Sequence, residues 1–567
     1  MAINDFFLKI FDKNGDKIIS FNEILGKIDD VVWGIPTIVL ILVTGLILTI
    51  RCRGIQFTKL GRAFKQIFKK NEGEGELSGF SALCTALSAT IGTGNIVGVA
   101  TAIVAGGPGA LFWMWFAAIL GTATKYAECM LAIKYREVKA DGTVLGGPFY
   151  TIEKGMGSKW KWLAVLFAIF GVAAGLLGIG TMTQINGITS AVNMAIKSDV
   201  AFTLFGNDYT WATVIGGAIV TLCAALVIIG GLKRISKVAE KIVPAMAIIY
   251  IFLGLSVLIM NATKIPAAFA LIFKSAFGWQ AAAGGVAGFV LKQVMDSMQK
   301  GIARGIFSNE AGLGSAPIAA APVKTEEPVE QGLVNMTGTV IDTLIVCTMT
   351  GLAIVIAFCN PAFVSDGATG VQLTSKALSF NLGGDGVSVQ FLLMLCLAFF
   401  AFTTILGWDY YSESCLEYLT KGNKKVVKAF RYLYILAVLI GPYMTISAVW
   451  TIADIFNGLM AIPNMIALFA LSGIVAKETK EFFDKRKAEK QSYIKEHMKD
   501  EIVPMEREIR AEVREWLEPL TAQANQYDLD IKAEYFYVTE DFEELKYRPK
   551  EKYTYTLVAE IAHFGET

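Results

Sequence analysis

The chain has 567 residues, 54% of them hydrophobic and 18% charged, with a net charge of +1. A soluble chain of this size carries about 25% charged residues, and a balance this near neutral offers no basic surface for nucleic acid. Its two histidines, His497 and His563, both fall in the hydrophilic C-terminal stretch, which excludes haem ligation, a histidine zinc site or a histidine proton relay in the apolar part.

In chain order, residues 1–32 form an acidic segment, expected to be extracytoplasmic and without a cleaved signal. Within it Asp12, Asn14, Asp16, Ser20 and Glu23 take positions 1, 3, 5, 9 and 12 of an EF-hand-like loop, with Ile18 offering its carbonyl. Calcium is the ligand this spacing suggests. Lys17 replaces the glycine of the sixth position, so binding is expected to be weak; an amphipathic lead-in to the first span uses the same residues without a metal.

A window of about 20 apolar residues finds eleven spans, near 33–52, 79–105, 109–133, 162–192, 211–231, 238–261, 283–321, 333–358, 387–410, 431–449 and 452–474. No charged residue occurs between Glu76 and Lys125, far too long a gap for a buried helix of a soluble protein. The eight cysteines stand in or beside apolar segments without CxxC spacing and read as small packing residues. Lys and Arg concentrate in alternate loops, among them Arg51 to Lys70, Lys134 to Lys161, Lys233 to Lys237 and Lys421 to Arg431. That pattern predicts an outside N-terminus and a cytoplasmic C-terminus.

Spans two and seven differ from the rest. One contains Ser88-Ala-Thr90-Ile-Gly92-Thr93-Gly94-Asn95-Ile-Val-Gly98, the other Gly301-Ile-Ala-Arg304-Gly305-Ile-Phe307-Ser308-Asn309-Glu310-Ala-Gly312-Leu-Gly314. Each glycine weakens a helix by about 1 kcal/mol relative to alanine. Unwound backbone at membrane depth is tolerated only where it faces a cavity or is buried in protein. Each interrupted helix opens a block of five spans, 78–261 and 262–475, and the blocks have opposite topology, which points to a carrier with a midplane site. Close helix packing by small residues explains either motif alone, but not their matched placement. Residues 33–77 hold the first span and a basic loop; residues 476–567 read as a cytoplasmic α/β extension, with KYTYTLVAEI a candidate strand.

GGPGALFWMW (106–115), ATKYAECMLAIKYR (123–136), GIARGIFSNEAGLGSAPIAAA (301–321) and TILGWDYY (404–411), in this order, resemble the alanine/glycine:cation symporter family over residues 33–475. The resemblance implies an all-α polytopic membrane protein of the leucine-transporter type, a 5+5 inverted repeat. It also implies alanine or glycine as substrate, sodium as coupling ion, and transport rather than enzyme chemistry. By similarity, Thr90, Thr93, Gly94 and Asn95 contact substrate or ion, Gln184 supplies a polar substrate contact, and Phe307, Ser308 and Asn309 line the pocket. Trp408, one turn after Thr404, is a wall that limits side-chain size, or else an interfacial aromatic. Thr403 and Thr404 are the expected sodium ligands, against the alternative that each bonds back to the carbonyl one turn earlier. Asp342 is an intramembrane acid: a gate, a support behind the ion ligands, or the partner of Arg304. Glu310 has the same ambiguity, and Lys125 with Glu128 reads as an internal ion pair. A proton-driven carrier of the same fold fits if Asp342 or Glu310 titrates. The expected partners are the amino acid and the lipid of a prokaryotic plasma membrane, with the oligomeric state open.

Overall fold

The computed structural model describes residues 10–11, 18–19, 21–69, 73, 75–140, 142–204, 207–278, 287–383, 386–444, 446–497, 515, 518, 529–534 and 558–563. The chain divides into two compact units, Met1–Lys477 and Glu478–Thr567.

The first unit is helical, and its last helix, Ile446–His497, continues past Lys477 into the second unit's residues. Its principal helices are α1 (Phe21–Val32), α2 (Ile35–Arg51), α3 (Gly79–Thr90), α4 (Val97–Gly106), α5 (Ala110–Lys134), α6 (Lys161–Leu177), α7 (Met182–Ala195), α8 (Trp211–Ile228), α9 (Leu232–Met260), α10 (Ile265–Ala276), α11 (Ala287–Asn309), α12 (Ala316–Ala320), α13 (Pro328–Thr339), α14 (Thr348–Phe358), α15 (Gly370–Leu382), α16 (Gly386–Leu419), α17 (Lys424–Ile440) and α18 (Ile446–His497). Their starts follow ordinary chemistry: the Ser81 N–H bonds to Ser78 Oγ at the head of α3, and Asn423 caps α17 in the same way.

Among the described residues nine helical stretches are long and apolar enough to cross a membrane, and the bent pair Gly79–Thr90 and Gly94–Gly106 makes a tenth. The seventh expected span, built here from α11 and α12, does not pass that test. The outward faces are apolar as well as the interior. Ile215, Ile219, Leu222 and Leu226 form an exposed stripe on α8, as do Ile248, Phe252, Leu255 and Ile259 on α9. The opposite face of α8 is small, with Thr213, Gly217, Thr221 and Ala224 buried. Stripes of that size are stable in lipid and not in water. Inside, Val99, Ala100, Leu111, Met114, Ile272, Val355 and Ile356 pack α4, α5, α10 and α14 into one core.

Loop contacts sort the helix ends into two faces. On one, Arg136 donates to the carbonyls of Ala321, Val323 and Thr325, Glu76 N–H bonds to Pro322 O, and Glu153 meets Lys161 and Tyr418. On the other, Tyr209 donates to Tyr443 O, Asn186 to Met444 O and Asn261 to Asn381 O. Loops of like expected side are therefore held together.

Three features depart from the sequence reading. The fourth span is interrupted: α6 ends at Leu177 and α7 begins at Met182, around Gly178 and Gly180. The eighth contains a π-helical stretch, Val340–Cys347, carrying Asp342; such stretches are rare and frequent at functional sites. Helices α10 and α15 lie in regions read as loops.

At the N-terminus, strand β1 (Ile10–Phe11) pairs antiparallel with β2 (Ile18–Ile19). Asp12, Asn14, Asp16 and Ser20 of the EF-hand-like loop lie outside the described residues, while Glu23 is exposed in α1. A strand, not an entering helix, precedes that loop, and no cluster of three or more His, Cys, Asp or Glu side chains suited to a metal occurs among the described residues. Two short hairpins follow, β3 (Glu137–Val138) with β4 (Val144–Leu145) and β5 (Val200–Leu204) with β6 (Asn207–Thr210). In the second unit, β7 (Leu529–Glu534) and β8 (Val558–His563) pair antiparallel, Leu529 opposite His563; β8 overlaps the end of the expected strand.

Candidate functional site

Both predicted breaks are present, and they touch. Helix α3 ends at Thr90, Ile91 is extended, and the path bends by 50° before α4. A Cβ placed on Gly94 would sit 3.1 Å from the Ser308 Cα and 3.3 Å from Phe307 Cδ1, so a side chain there would separate the two interrupted helices. Gly92 has a different role. A Cβ there would lie 2.5 Å from Thr404 Oγ1 and 2.9 Å from Gln184 Oε1. Oxygens from α16 and α7 thus crowd a backbone that only glycine keeps open.

The neutral oxygens at this point form a set. Thr404 Oγ1 lies 3.3 Å from Ile91 O and 3.0 Å from Phe400 O. Gln184 Oε1 accepts from the Thr93 N–H at 3.1 Å, and the Gln184 amide is fixed by donating to Ile179 O, inside the interruption of the fourth span. Thr93 Oγ1 is buried without a hydrogen-bond partner among the described residues. Ile91 O belongs to the carboxyl end of α3, the negative end of its dipole. Hydroxyl, amide and carbonyl oxygens at a helix C-terminus suit a hard monovalent cation.

Asp342 stands between the two breaks. Its Oδ1 accepts from Asn95 Nδ2 at 2.6 Å, and its Oδ2 accepts from Ser308 Oγ at 3.0 Å and Thr343 Oγ1 at 2.7 Å. One carboxylate therefore holds one residue from each interrupted helix, on a different oxygen for each. Asn95 also accepts from Gly92 N–H through Oδ1, and its carbonyl accepts from Thr350 Oγ1. Cys347 Sγ lies 3.3 Å from Asn95 Nδ2 and 3.1 Å from Ser308 Oγ.

The structure brings Thr93, Gly94, Asn95, Gln184, Phe307, Ser308 and Thr404 together around the breaks. It separates others from them. Thr90 bonds back to Ala86 O. Thr403 bonds back to Phe399 O and Phe400 O and faces Met246 of α9, so adjacent threonines point to different neighbours. Asn309 donates to Thr343 Oγ1 and accepts from the Ala311 N–H, shaping the turn after α11. Trp408 is wholly buried, which excludes the interfacial alternative, and its Nε1 donates to Glu310 Oε1 at 2.6 Å. Ser315 Oγ holds the other oxygen of Glu310.

Arg304 does not pair with Asp342. It forks onto Asp454 of α18 at 2.8 Å through both nitrogens and lies over the rings of Phe307 and Trp450, which pack against each other with centroids 5.0 Å apart. Lys125 and Glu128 do approach, at 3.9 Å, and Asn464 Nδ2 donates to Glu128 Oε2 and to Gly312 O. Asp454, Trp450, Thr350 and Cys347 were missed by the sequence reading. The intramembrane-acid rule that singled out Asp342 applies equally to Asp454; nothing in the local sequence marks the other three.

A sequence profile described as the sodium:alanine symporter family matches residues 18–496. An uncharacterized transporter of Haemophilus influenzae is 49% identical over 472 residues, 82% of this chain and 97% of that protein. The sodium/alanine symporter of Methanococcus maripaludis is 45% identical over 476 residues, 83% of this chain and 99% of its own. Among solved structures, the transporter MhsT in complex with L-phenylalanine aligns with 72% of this chain and 98% of its own, at 13% identity and a TM-score of 0.45.

Proposed function

The chain belongs to the sodium:alanine symporter family, and from that premise we propose that it imports alanine or glycine together with Na⁺ by alternating access. It is a membrane protein and a cation-coupled amino-acid symporter, not an enzyme. The observation that carries the sodium reading is the uncharged oxygen set at Gly92: Ile91 O, Thr404 Oγ1, Gln184 Oε1 and the unpartnered Thr93 Oγ1.

The zwitterion is the natural cargo of the neighbouring groups. The amino end of α4 offers the positive end of a helix dipole to a carboxylate. The Asp342 carboxylate, shared by Asn95 and Ser308, is the negative charge that would balance an ammonium group. Gly94 lies close to Ser308 and Phe307, and a pocket bounded by these residues would be narrow, which supports alanine and glycine. The two blocks, 78–261 and 262–475, act as inverted halves, each opening on an interrupted helix. The face joined by Arg136, Glu76 and Glu153 carries the basic loops and is the cytoplasmic one.

Uptake of labelled alanine into proteoliposomes with imposed gradients tests this directly. An inward Na⁺ gradient should drive accumulation, and an inward H⁺ gradient alone should not. Accumulation driven by H⁺ without Na⁺ would overturn the sodium reading.

A further inference from the structure

One buried acid takes no part in the site described. Asp409 is 0% exposed, and neither carboxyl oxygen has a hydrogen-bond partner among the described residues. It stands on the face of α16 that meets α17, in the series Ile405, Asp409, Glu413. Four-residue spacing puts these side chains one above another on that face.

The hydrogen bonds formed around it run to other acceptors, and the Tyr411 hydroxyl two residues along is likewise buried without a partner among the described residues. Arg431 of α17 grips Glu413 through two bonds, Nε to Oε1 at 2.5 Å and Nη2 to Oε2 at 2.6 Å. Tyr434, three residues on, is fully buried and its hydroxyl lies 2.9 Å from both Ile405 O and Gly180 O. Ser412 donates to Gly171 O of α6, and the indole of Trp408 is taken by Glu310. The charged groups close enough to act on Asp409 are Glu413 on its own helix and Arg431 on α17, with Tyr434 the third titratable neighbour. α6 has a single charged residue, Lys161 in its first turn, which is paired with Glu153.

An ionised carboxylate in this position would be buried with no donor, which is costly enough that such a group takes up a proton instead. We propose that Asp409, Glu413 and Arg431 form a proton-holding triad: two carboxyls, one guanidinium and one proton, net neutral. In the arrangement seen here the proton sits on Asp409 and Arg431 sits on Glu413. Because the two acids are one helical turn apart, one guanidinium serves either. When Arg431 turns to Asp409, the carboxyl O–H bond breaks, the proton passes to Glu413, and no net charge enters the buried layer. Glu413 is nearly buried and Arg431 half-buried, with side chains 11% and 23% accessible, so the proton exchanges at the Arg431 end. The triad is loaded and emptied from one face. It tunes the carrier to the pH on that side and carries no proton across, so it is compatible with Na⁺ as the driving ion.

Infrared spectroscopy of the full-length protein in lipid, without substrate, reads this independently of transport. At neutral pH the wild type should show a protonated-carboxyl C=O band that is lost in Asp409→Asn. Glu413→Gln is the sharper variant, because it leaves Asp409 in place. With Glu413 neutral, Arg431 pairs with Asp409, the proton is no longer needed, and the same band should disappear. It also stands as the test if Asp409→Asn fails to fold. A band unchanged in either folded variant, or absent from the wild type because a metal cation takes its place, would overturn the triad. Failure of Na⁺-driven uptake would leave the infrared result untouched, so the two readings fail separately.

Discussion

Between α3 and α4 the chain turns by 50° through residues 91–96 without a charged side chain, whereas between α11 and α12 it passes Glu310, Gly312 and Gly314, all at positive φ. The first break takes its polarity from backbone ends and from neutral oxygens brought by α7 and α16. The second is staked down by a carboxylate. Holding a non-glycine residue such as Glu310 in the left-handed region costs about 1–3 kcal/mol. Each hydrogen bond returns about 0.5–1.5 kcal/mol, and Glu310 has two, from Trp408 and Ser315. The strain is therefore offset locally. The difference suggests a division of labour: the uncharged break exchanges ligands, and the charged one fixes the geometry against which they are exchanged. Asp342 joins the two.

The largest expected effect follows from that junction. In Asp342→Asn one of the two oxygens becomes an amide that faces a donor, either Asn95 Nδ2 or Ser308 Oγ. A buried donor left unsatisfied costs about 1–3 kcal/mol, and both breaks lose their common anchor. Alanine binding to the purified protein should fall below detection, with a lowered unfolding temperature. Alanine affinity within a few-fold of wild type would show that the breaks hold their geometry without this acid.

Gly92→Ala attacks the uncharged break alone. Its Cβ would intrude on Thr404 Oγ1 and Gln184 Oε1, whereas a Cβ on Gly98 meets nothing nearer than 4.0 Å. Gly92→Ala should abolish Na⁺-dependent alanine binding while Gly98→Ala keeps it, gaining up to about 1 kcal/mol of helix stability. Equal behaviour of the two variants would remove the ion from this position.

Thr404→Val keeps the shape and deletes one oxygen. Coupled ligands weaken each other by the same free energy, typically 1–3 kcal/mol, so alanine affinity should drop roughly 5- to 150-fold at fixed sodium and recover partly as sodium rises. Thr404→Ser should resemble wild type. The structure adds an internal control: both threonines bond back to their own helix, but Thr403 faces Met246 rather than Ile91 O, so Thr403→Val should change little. A larger effect at 403 than at 404 would reverse the assignment.

The membrane class, the spans and both interruptions were legible because glycine density and apolar run length are local signals. Their matched placement in two blocks is an expectation drawn from order along the chain alone. What stayed hidden depends on which way a side chain turns. Thr403 and Thr404 are equivalent as text, yet a 100° step around a helix gives one to α9 and the other to Ile91 O. The interruption at Gly178–Thr181 carries the same signal, Gly178 and Gly180 followed by Thr181, Thr183 and Asn186, but the apolar run from Trp162 to Leu177 in front of it reads as one continuous span. Pairing with Arg304 is one of the three roles open to Asp342 on sequence, yet the partner Arg304 takes is Asp454, 150 residues away. Pairing across helices is set by tertiary packing, which spacing along one segment does not encode.

Trp408 gives the smallest and most discriminating test, because it touches the charged break from the helix that also serves the uncharged one. Thr404 and Trp408 are one turn apart on α16: one meets Ile91 O, the other Glu310 Oε1. If the indole acts as a lock, its N–H is what counts. Trp408→Phe retains most of the bulk but leaves Glu310 short of a donor, costing about 1–3 kcal/mol, so alanine should bind roughly tenfold more weakly with unchanged selectivity. If the indole acts as a wall, its volume is what counts. Trp408→Phe should then be nearly silent, while Trp408→Ala should admit leucine and larger side chains as competitors of labelled alanine. The hydrogen bond at 2.6 Å to a strained, buried carboxylate favours the lock. Competition profiles for the two variants separate these outcomes, and a Trp408→Phe protein with wild-type affinity would return the charged break to a purely structural part.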